Sequence, residues 1–102
     1  REDLMGNAAR VGAILIDGLR RIAERHPLLE EVRGKALWIG LRFANHHTAA
    51  AVEIAALHRG LLMLTCGDDA IRMSPPLVFR EDQARVALDL FEDAVASVEA
   101  RD

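Results

Sequence analysis

From Leu4 onward the apolar residues Ala8, Val11, Leu15, Leu19 and Ile22 recur three and four positions apart, the period that lines one face of a helix. The pattern predicts a first helix running to about His26. Pro27 ends it, because proline lacks the N–H of the next helical bond and disfavours helical geometry in the residue before it. Asp17 and Arg21 face outward as a favourably ordered i,i+4 pair. Gly12 and Gly18 each weaken the helix by up to about 1 kcal/mol and imply close packing against a neighbour. From Val32 to Phe43 the period falls to two. Leu37, Ile39, Leu41 and Phe43 share one face and Trp38 takes the other, which reads as one long strand. Gly34 and Gly40 within it mark a bulge or a close approach of another backbone or a ligand.

Asn45 to Thr48 supply polar capping atoms for an alanine-rich helix over about Thr48 to Arg59, with Gly60 suited to the left-handed position after its end. Leu61–Leu64 and Ala70–Ser74 are short apolar runs separated by Thr65–Asp69, whose turn chemistry predicts a hairpin. Pro75 and Pro76 stop the second run. A last helix carries Ala87, Phe91, Ala94 and Val98 on one face, its N-terminus favoured electrostatically by Glu81 and Asp82. The order is therefore helix, strand, helix, two-strand hairpin, helix. This predicts one α+β domain over residues 1–102, a small antiparallel or mixed sheet with helices on one face, since each helix has a single apolar stripe to bury. The other sheet face is left in need of a partner.

Composition narrows the function classes. A formal charge of -3, with arginines interspersed among carboxylates, gives no basic field for nucleic acid. No apolar stretch approaches the roughly 18 residues that span a bilayer. A single cysteine, Cys66, cannot build an intrachain disulfide framework, and a reducing cytoplasm is the expected location. The sequence opens at Arg1 without an initiator methionine and with a helical pattern under way, so it reads as part of a longer protein.

Three phrases, covering nearly the whole chain in the right order, resemble the class III aminotransferases. Asn7–Gly34 ends in Arg-His-Pro-Leu-Leu-Glu-Glu-Val-Arg-Gly, similar to the family's RHPLIGDVRG. Gly34–Gly40 is similar to its GKGLMIG. Arg59–Leu77, RGLLMLTCGDDAIRMSPPL, resembles its RGLLLLTCG…NVIRLLPPL segment and is the most specific of the three. The resemblance is to enzymes of the 4-aminobutyrate and acetylornithine type. It implies the C-terminal small domain of an aspartate-aminotransferase-like, fold type I enzyme that transfers an amino group from an amino acid or ω-amino acid to a 2-oxo acid. It also implies pyridoxal 5'-phosphate (PLP) in a large domain of the same chain, a cytoplasmic homodimer, and a small domain that closes over substrate and binds its carboxylate. The sequence departs from the family's pattern at Ala36, where glycine is usual, at Trp38, where methionine is usual, and at Arg42, where glutamate is frequent. The turn between Gly67 and Ile71 is shorter than in many 4-aminobutyrate enzymes, and Arg80 stands where a Ser or Thr cap is common. Related reactions on the same cofactor, decarboxylation, aminomutation and racemisation, stay open, as does a free-standing non-catalytic interaction module.

Transamination needs a lysine that forms a Schiff base with PLP, an acidic partner for the pyridine nitrogen and donors for the phosphate. Lys35 is the only lysine and matches no Schiff-base position of the family, so a solvated surface role is expected, with no cofactor-binding or catalytic residue in the chain. Arg72 has the planar fork of donors that holds a carboxylate in two parallel hydrogen bonds. From its sequence alone it reads first as an ordinary edge-strand arginine paired with Asp68 or Asp69; the resemblance reverses that order and makes it the substrate-carboxylate arginine. Pro75 and Pro76 shape the segment after it or simply stop a strand. Arg33 and Gly34 read as a loop arginine with a turn glycine, or as residues near the mouth of the site. His46 and His47 are adjacent and lack the spaced ligand set of a zinc site, so a capping loop is expected and no metal. Cys66 reads as a small turn residue, and Trp38 as core or as the cover of a pocket.

Overall fold

The computed structural model describes residues 4–35, 38–61, 63–66, 70–73 and 80–101. The elements in chain order are α1 (Leu4–Arg25), β1 (Leu29–Lys35), β2 (Trp38–Phe43), α2 (His46–His58), β3 (Leu64–Cys66), β4 (Ala70–Met73) and α3 (Glu81–Glu99). The strands form one antiparallel sheet in the order β1-β2-β4-β3, so the two hairpins meet along the β2–β4 seam. Alternation decides which face is dry. Ile39, Leu41 and Phe43 of β2 and Ile71 of β4 are fully buried, whereas Arg42 and Arg72 between them are exposed. Helices α1 and α2 cover the apolar face, and α3 packs across both of them through Phe91, Ala94 and Val95. The α+β class, the antiparallel sheet and the single helix-covered face all match the sequence expectation.

Local chemistry sets the boundaries. The α1 stripe of Val11, Leu15, Leu19 and Ile22 is buried as the period requires. A Cβ on Gly18 would overlap the Leu88 side chain, so the missing side chain is what allows α1 and α3 to lie so close. Asn45 caps α2, its Oδ1 accepting the Thr48 N–H at 2.8 Å, and Gly60 follows the helix with a φ of 89° that favours glycine. The buried face of α2 is Ala49, Val52, Ala55 and Ala56, small residues that bring its backbone near the sheet. Glu53 of α2 accepts the Thr65 N–H at 3.1 Å, joining helix to edge strand. Arg59 donates to Ala55 O at 2.9 Å and to Asp93 at 2.6 Å, joining α2 to α3. At α3 the Arg80 N–H donates to Gln83 Oε1 at 2.7 Å, and the Arg80 guanidinium reaches Asp82. Arg80 therefore does without the Ser or Thr cap.

The structure corrects four expectations. The segment Val32–Phe43 is not one strand; the chain reverses between Lys35 and Trp38, which pair across a hairpin, and Ala36 and Leu37 lie outside the described residues. The bulge is not at Gly34 or Gly40 but between Leu29 and Glu31, where Leu29 faces Phe43 and Glu31 already faces Arg42. Thr65 and Cys66 belong to β3 and not to the turn, while 67–69 are outside the described set. Helix α2 begins at His46, so His46 and His47 are its first residues and Asn45 alone is the cap.

One ionic cluster ties the end of α1 to α3. His26 is largely shielded, with Nδ1 2.6 Å from Glu99 and Nε2 3.0 Å from Glu92. Glu92 also takes a forked pair from Arg25 at 2.8 and 3.0 Å. Both ring nitrogens face carboxylate oxygens, so both donate only when the imidazole is protonated. The Glu99 bond, then the Glu92 bond, raise the His26 pKa against partial burial; Arg25 and then His26 hold Glu92 below its usual value. Because the folded His26 pKa is raised, its contribution is fully present below the unfolded value of about 6.5 and fades as pH rises through the folded pKa. Glu92 behaves oppositely, contributing above about pH 4.3 and fading as pH falls through its depressed pKa. Thermal melts across about pH 2–9 should therefore show stability declining on both sides, the acid decline lying below about pH 4.3, and His26→Gln should remove the alkaline decline; a variant with the same alkaline slope would assign that slope to another group. A second expected outcome concerns Gly18: Gly18→Leu lowers unfolding free energy by about 1–3 kcal/mol through overpacking, and adding Leu88→Ala recovers part of it in a denaturant titration.

Candidate functional site

Among the described residues, the outer face of the sheet carries Arg33, Arg42 and Arg72 together with Glu31. On β1 the bulge at Glu30 shifts the alternation by one residue. Leu29 stays in the core opposite Phe43, and beyond the bulge it is Val32 that points inward, which sends Glu31 and Arg33 to the outer face. Without the extra residue, Glu31 and Arg33 would share the side of Leu29. Across the sheet Arg33 is paired with Gly40, and Gly40 with Arg72; one step along, Glu31 is paired with Arg42, and Arg42 with Ala70. Arg33 and Arg72 thus sit in one cross-strand row with no side chain between them, their Cα atoms about 10 Å apart by strand spacing.

Glu31 organises two of the three arginines. Its Oε2 accepts from Arg33 Nε at 2.5 Å and its Oε1 lies 3.2 Å from Arg42 Nε. Contact through Nε leaves the outer ends of both guanidinium groups directed away from Glu31, and the two side chains are 74% and 53% exposed. Arg72, on β4, is also exposed. The arrangement offers forked cationic donors on a rigid sheet, the chemistry for holding carboxylate or phosphate.

Of the other sequence candidates, Gly34 lies in β1 with a φ of 132° that favours glycine, next to the hairpin tip. Arg33, expected as a loop residue, is in a strand beside Gly40. His46 and His47 are exposed at the start of α2, away from the arginine face. Cys66 and Trp38 are placed in β3 and at the start of β2 by their backbone alone. Pro75, Pro76, Asp68 and Asp69 lie outside the described residues. Among the described residues no group of three His, Cys, Asp or Glu side chains is arranged to hold a metal. Sequence reasoning missed Glu31, Arg42 as a partner of Arg33, and the His26 cluster. Only the Glu-Glu-Val-Arg spacing hinted at the first, and only once the bulge is known.

The face does not fit PLP itself. The described polar side chains there are Arg33, Arg42, Arg72 and Glu31, none of them an amine that could bond the cofactor's aldehyde carbon.

The family model for aminotransferase class-III matches residues 1–95. Acetylornithine aminotransferase of Nostoc sp. is 42% identical over 103 residues, covering 98% of this chain and 24% of the relative. Mitochondrial 4-aminobutyrate aminotransferase of Sus scrofa is 34% identical over 97 residues, covering 94% and 19%. Alanine/serine racemase of Pyrococcus horikoshii is 32% identical over 102 residues, covering 92% and 22%. Among solved structures, N-acetylornithine aminotransferase from Stenotrophomonas maltophilia K279a superposes with a TM-score of 0.90 at 29% identity, covering all of this chain and 29% of that one. The chain spans about a fifth to a quarter of the length of these curated relatives. No described helix is long and apolar enough to cross a membrane. A family match across nearly the whole sequence, two aminotransferases above 30% identity and a shared fold leave one assignment: the chain belongs to the class III aminotransferases.

Proposed function

We propose that residues 1–102 form the C-terminal small domain of a PLP-dependent enzyme that transfers an amino group from an amino acid or ω-amino acid, of the 4-aminobutyrate or acetylornithine kind, to a 2-oxo acid. The observation that carries this reading is the position of Arg72, exposed on the outer sheet face in one row with Arg33 and separated from it only by Gly40. The cofactor, held by a large domain of the same chain, supplies the electron sink for bond breaking at the amino-bearing carbon. Arg72 binds the substrate carboxylate through its forked donors and so fixes where that carbon lies. The sheet beneath Arg72 is rigid, because its other face is packed under the helices, so movement of the domain as a body carries Arg72 over the substrate and excludes water. The full-length protein acts as a cytoplasmic homodimer. The 102-residue chain alone is inactive, since Lys35 is its only lysine and stands at no Schiff-base position of the family.

A second reading, racemisation with the same cofactor, is favoured by the similarity to the alanine/serine racemase. Product analysis of the full-length protein separates the two: amino transfer that depends on a 2-oxo acid supports the first, and inversion without any acceptor supports the second. For Arg72, Arg72→Ala in the full-length protein is expected to raise KM for the amino donor by about 100-fold, with Arg72→Lys intermediate and cofactor absorbance retained. An unchanged KM would remove Arg72 from substrate binding.

A further inference from the structure

We propose that Arg25 and His26 form a two-stage clasp between the end of α1 and the last turn of α3: the imidazolium bridges Glu92 and Glu99, and on losing a proton the ring keeps Glu99 through its Nδ1–H while Glu92 passes wholly to Arg25. The clasp changes its wiring with pH and does not let α3 go.

The ring is held from behind. The His26 N–H donates to Ile22 O at 2.9 Å, and His26 O accepts the Leu29 N–H at 3.0 Å. The residue is therefore rooted both in the helix end and in the turn into β1, and its side chain is only 15% exposed. Among the described residues, the charged groups facing the imidazole are Glu92 and Glu99 of α3. On its own helix Arg25 reaches it through Glu92, with Glu24 acting on Arg25, and the turn into β1 adds the apolar Leu28 and Leu29.

The two carboxylates are unequal partners. Glu92 accepts from Arg25 at both oxygens, at 2.8 and 3.0 Å, so its bond from His26 Nε2 at 3.0 Å is a third. Glu99 lies 2.6 Å from His26 Nδ1, its one side-chain partner among the described contacts. It is also the last residue of α3, whose final turn has no basic residue, so the helix dipole disfavours its charge there and His26 supplies from another helix the donor that the turn lacks. A neutral imidazole has one N–H and one lone pair. With the proton on Nδ1, the bond given up is the redundant one and both Glu92 oxygens stay satisfied. With the proton on Nε2, a lone pair would face Glu99 at the shorter distance and the end of α3 would lose its only tether of this kind.

The test is hydrogen exchange of the full-length protein, read by mass spectrometry in the peptide containing Ala100 and Arg101, whose amides close the last turn on Ala96 O at 3.0 Å and Val98 O at 3.2 Å. Protection, corrected for the intrinsic base-catalysed rate, is followed from about pH 6 to about pH 9, through the raised pKa of His26. The unmodified protein is expected to hold its protection within about twofold, whereas Arg25→Gln, which leaves neutral His26 one donor for two carboxylates, should lose about tenfold over that range. Arg25→Lys should retain most of the protection. Adding Glu92→Gln to Arg25→Gln should restore the flat profile, a rescue that general damage to the helix end would not show. A tenfold alkaline loss in the unmodified protein would place the proton on Nε2 and overturn the proposal, as would a flat profile in Arg25→Gln. Should Arg25→Gln fail to fold, the nitrogen-15 shifts of the His26 ring at about pH 9, assigned by their loss in His26→Gln, decide instead: a protonated Nδ1 supports the clasp, and a protonated Nε2 overturns it.

Discussion

A sheet of four short strands can be kept dry on one face only when every residue with a given parity is apolar, and that constraint organises this molecule. Ile39, Leu41, Phe43 and Ile71 satisfy it on the two central strands, and α1 and α2 bury them with α3 locked across the top. The residues of opposite parity are then forced together on the far side. Nothing else is needed to bring Arg42 and Arg72 to a common face; period-two geometry does so once the β2–β4 register is set. The outer strand β1 obeys the same rule only because its bulge resets the phase after Leu29.

Residues whose periodicity is complete could be read directly. The α1 stripe, the α3 stripe and the inward positions of β2 are each long enough to repeat, and each is buried as the pattern demands. The places that could not be read are those where one residue changes the phase. Between Val32 and Phe43 the apolar alternation runs on almost without interruption, so a two-residue reversal leaves little trace; the positive φ of Gly34 is the physical sign of it, and glycine alone did not say on which side the chain would turn. The Glu30 bulge is equally silent, since Glu-Glu is unremarkable in a polar stretch. Arg72 was legible as a candidate because of the segment around it, whereas Arg33, read as a loop arginine or a residue near the mouth of the site, and Arg42, read only as a departure from the family's pattern, come from a different hairpin, and their place beside Arg72 needed the register.

The polar contacts show where the fold tolerates exposure. Arg59 and Glu53 connect α2 to α3 and to β3, and His26 with Glu92 and Glu99 closes the distal end, all at the edges of the apolar core. None of them lies on the arginine face. The described contacts that hold the helices to the sheet thus lie away from its outer face, which leaves the outer-face residues open to substitution without disturbing the packing under the helices.

The strand order also has a kinetic meaning. Arg33 and Arg42 arrive with the first hairpin and Arg72 with the second, and α2 separates the two hairpins in sequence while their inner strands become neighbours in space. Each hairpin closes a short loop, but the β2–β4 seam forms only after α2 has folded back and the long loop that contains it has closed. The row Arg33–Gly40–Arg72 straddles that seam. Neither hairpin by itself carries a complete row, so a nascent or partly unfolded chain in which the seam is open holds Arg33 and Arg72 apart.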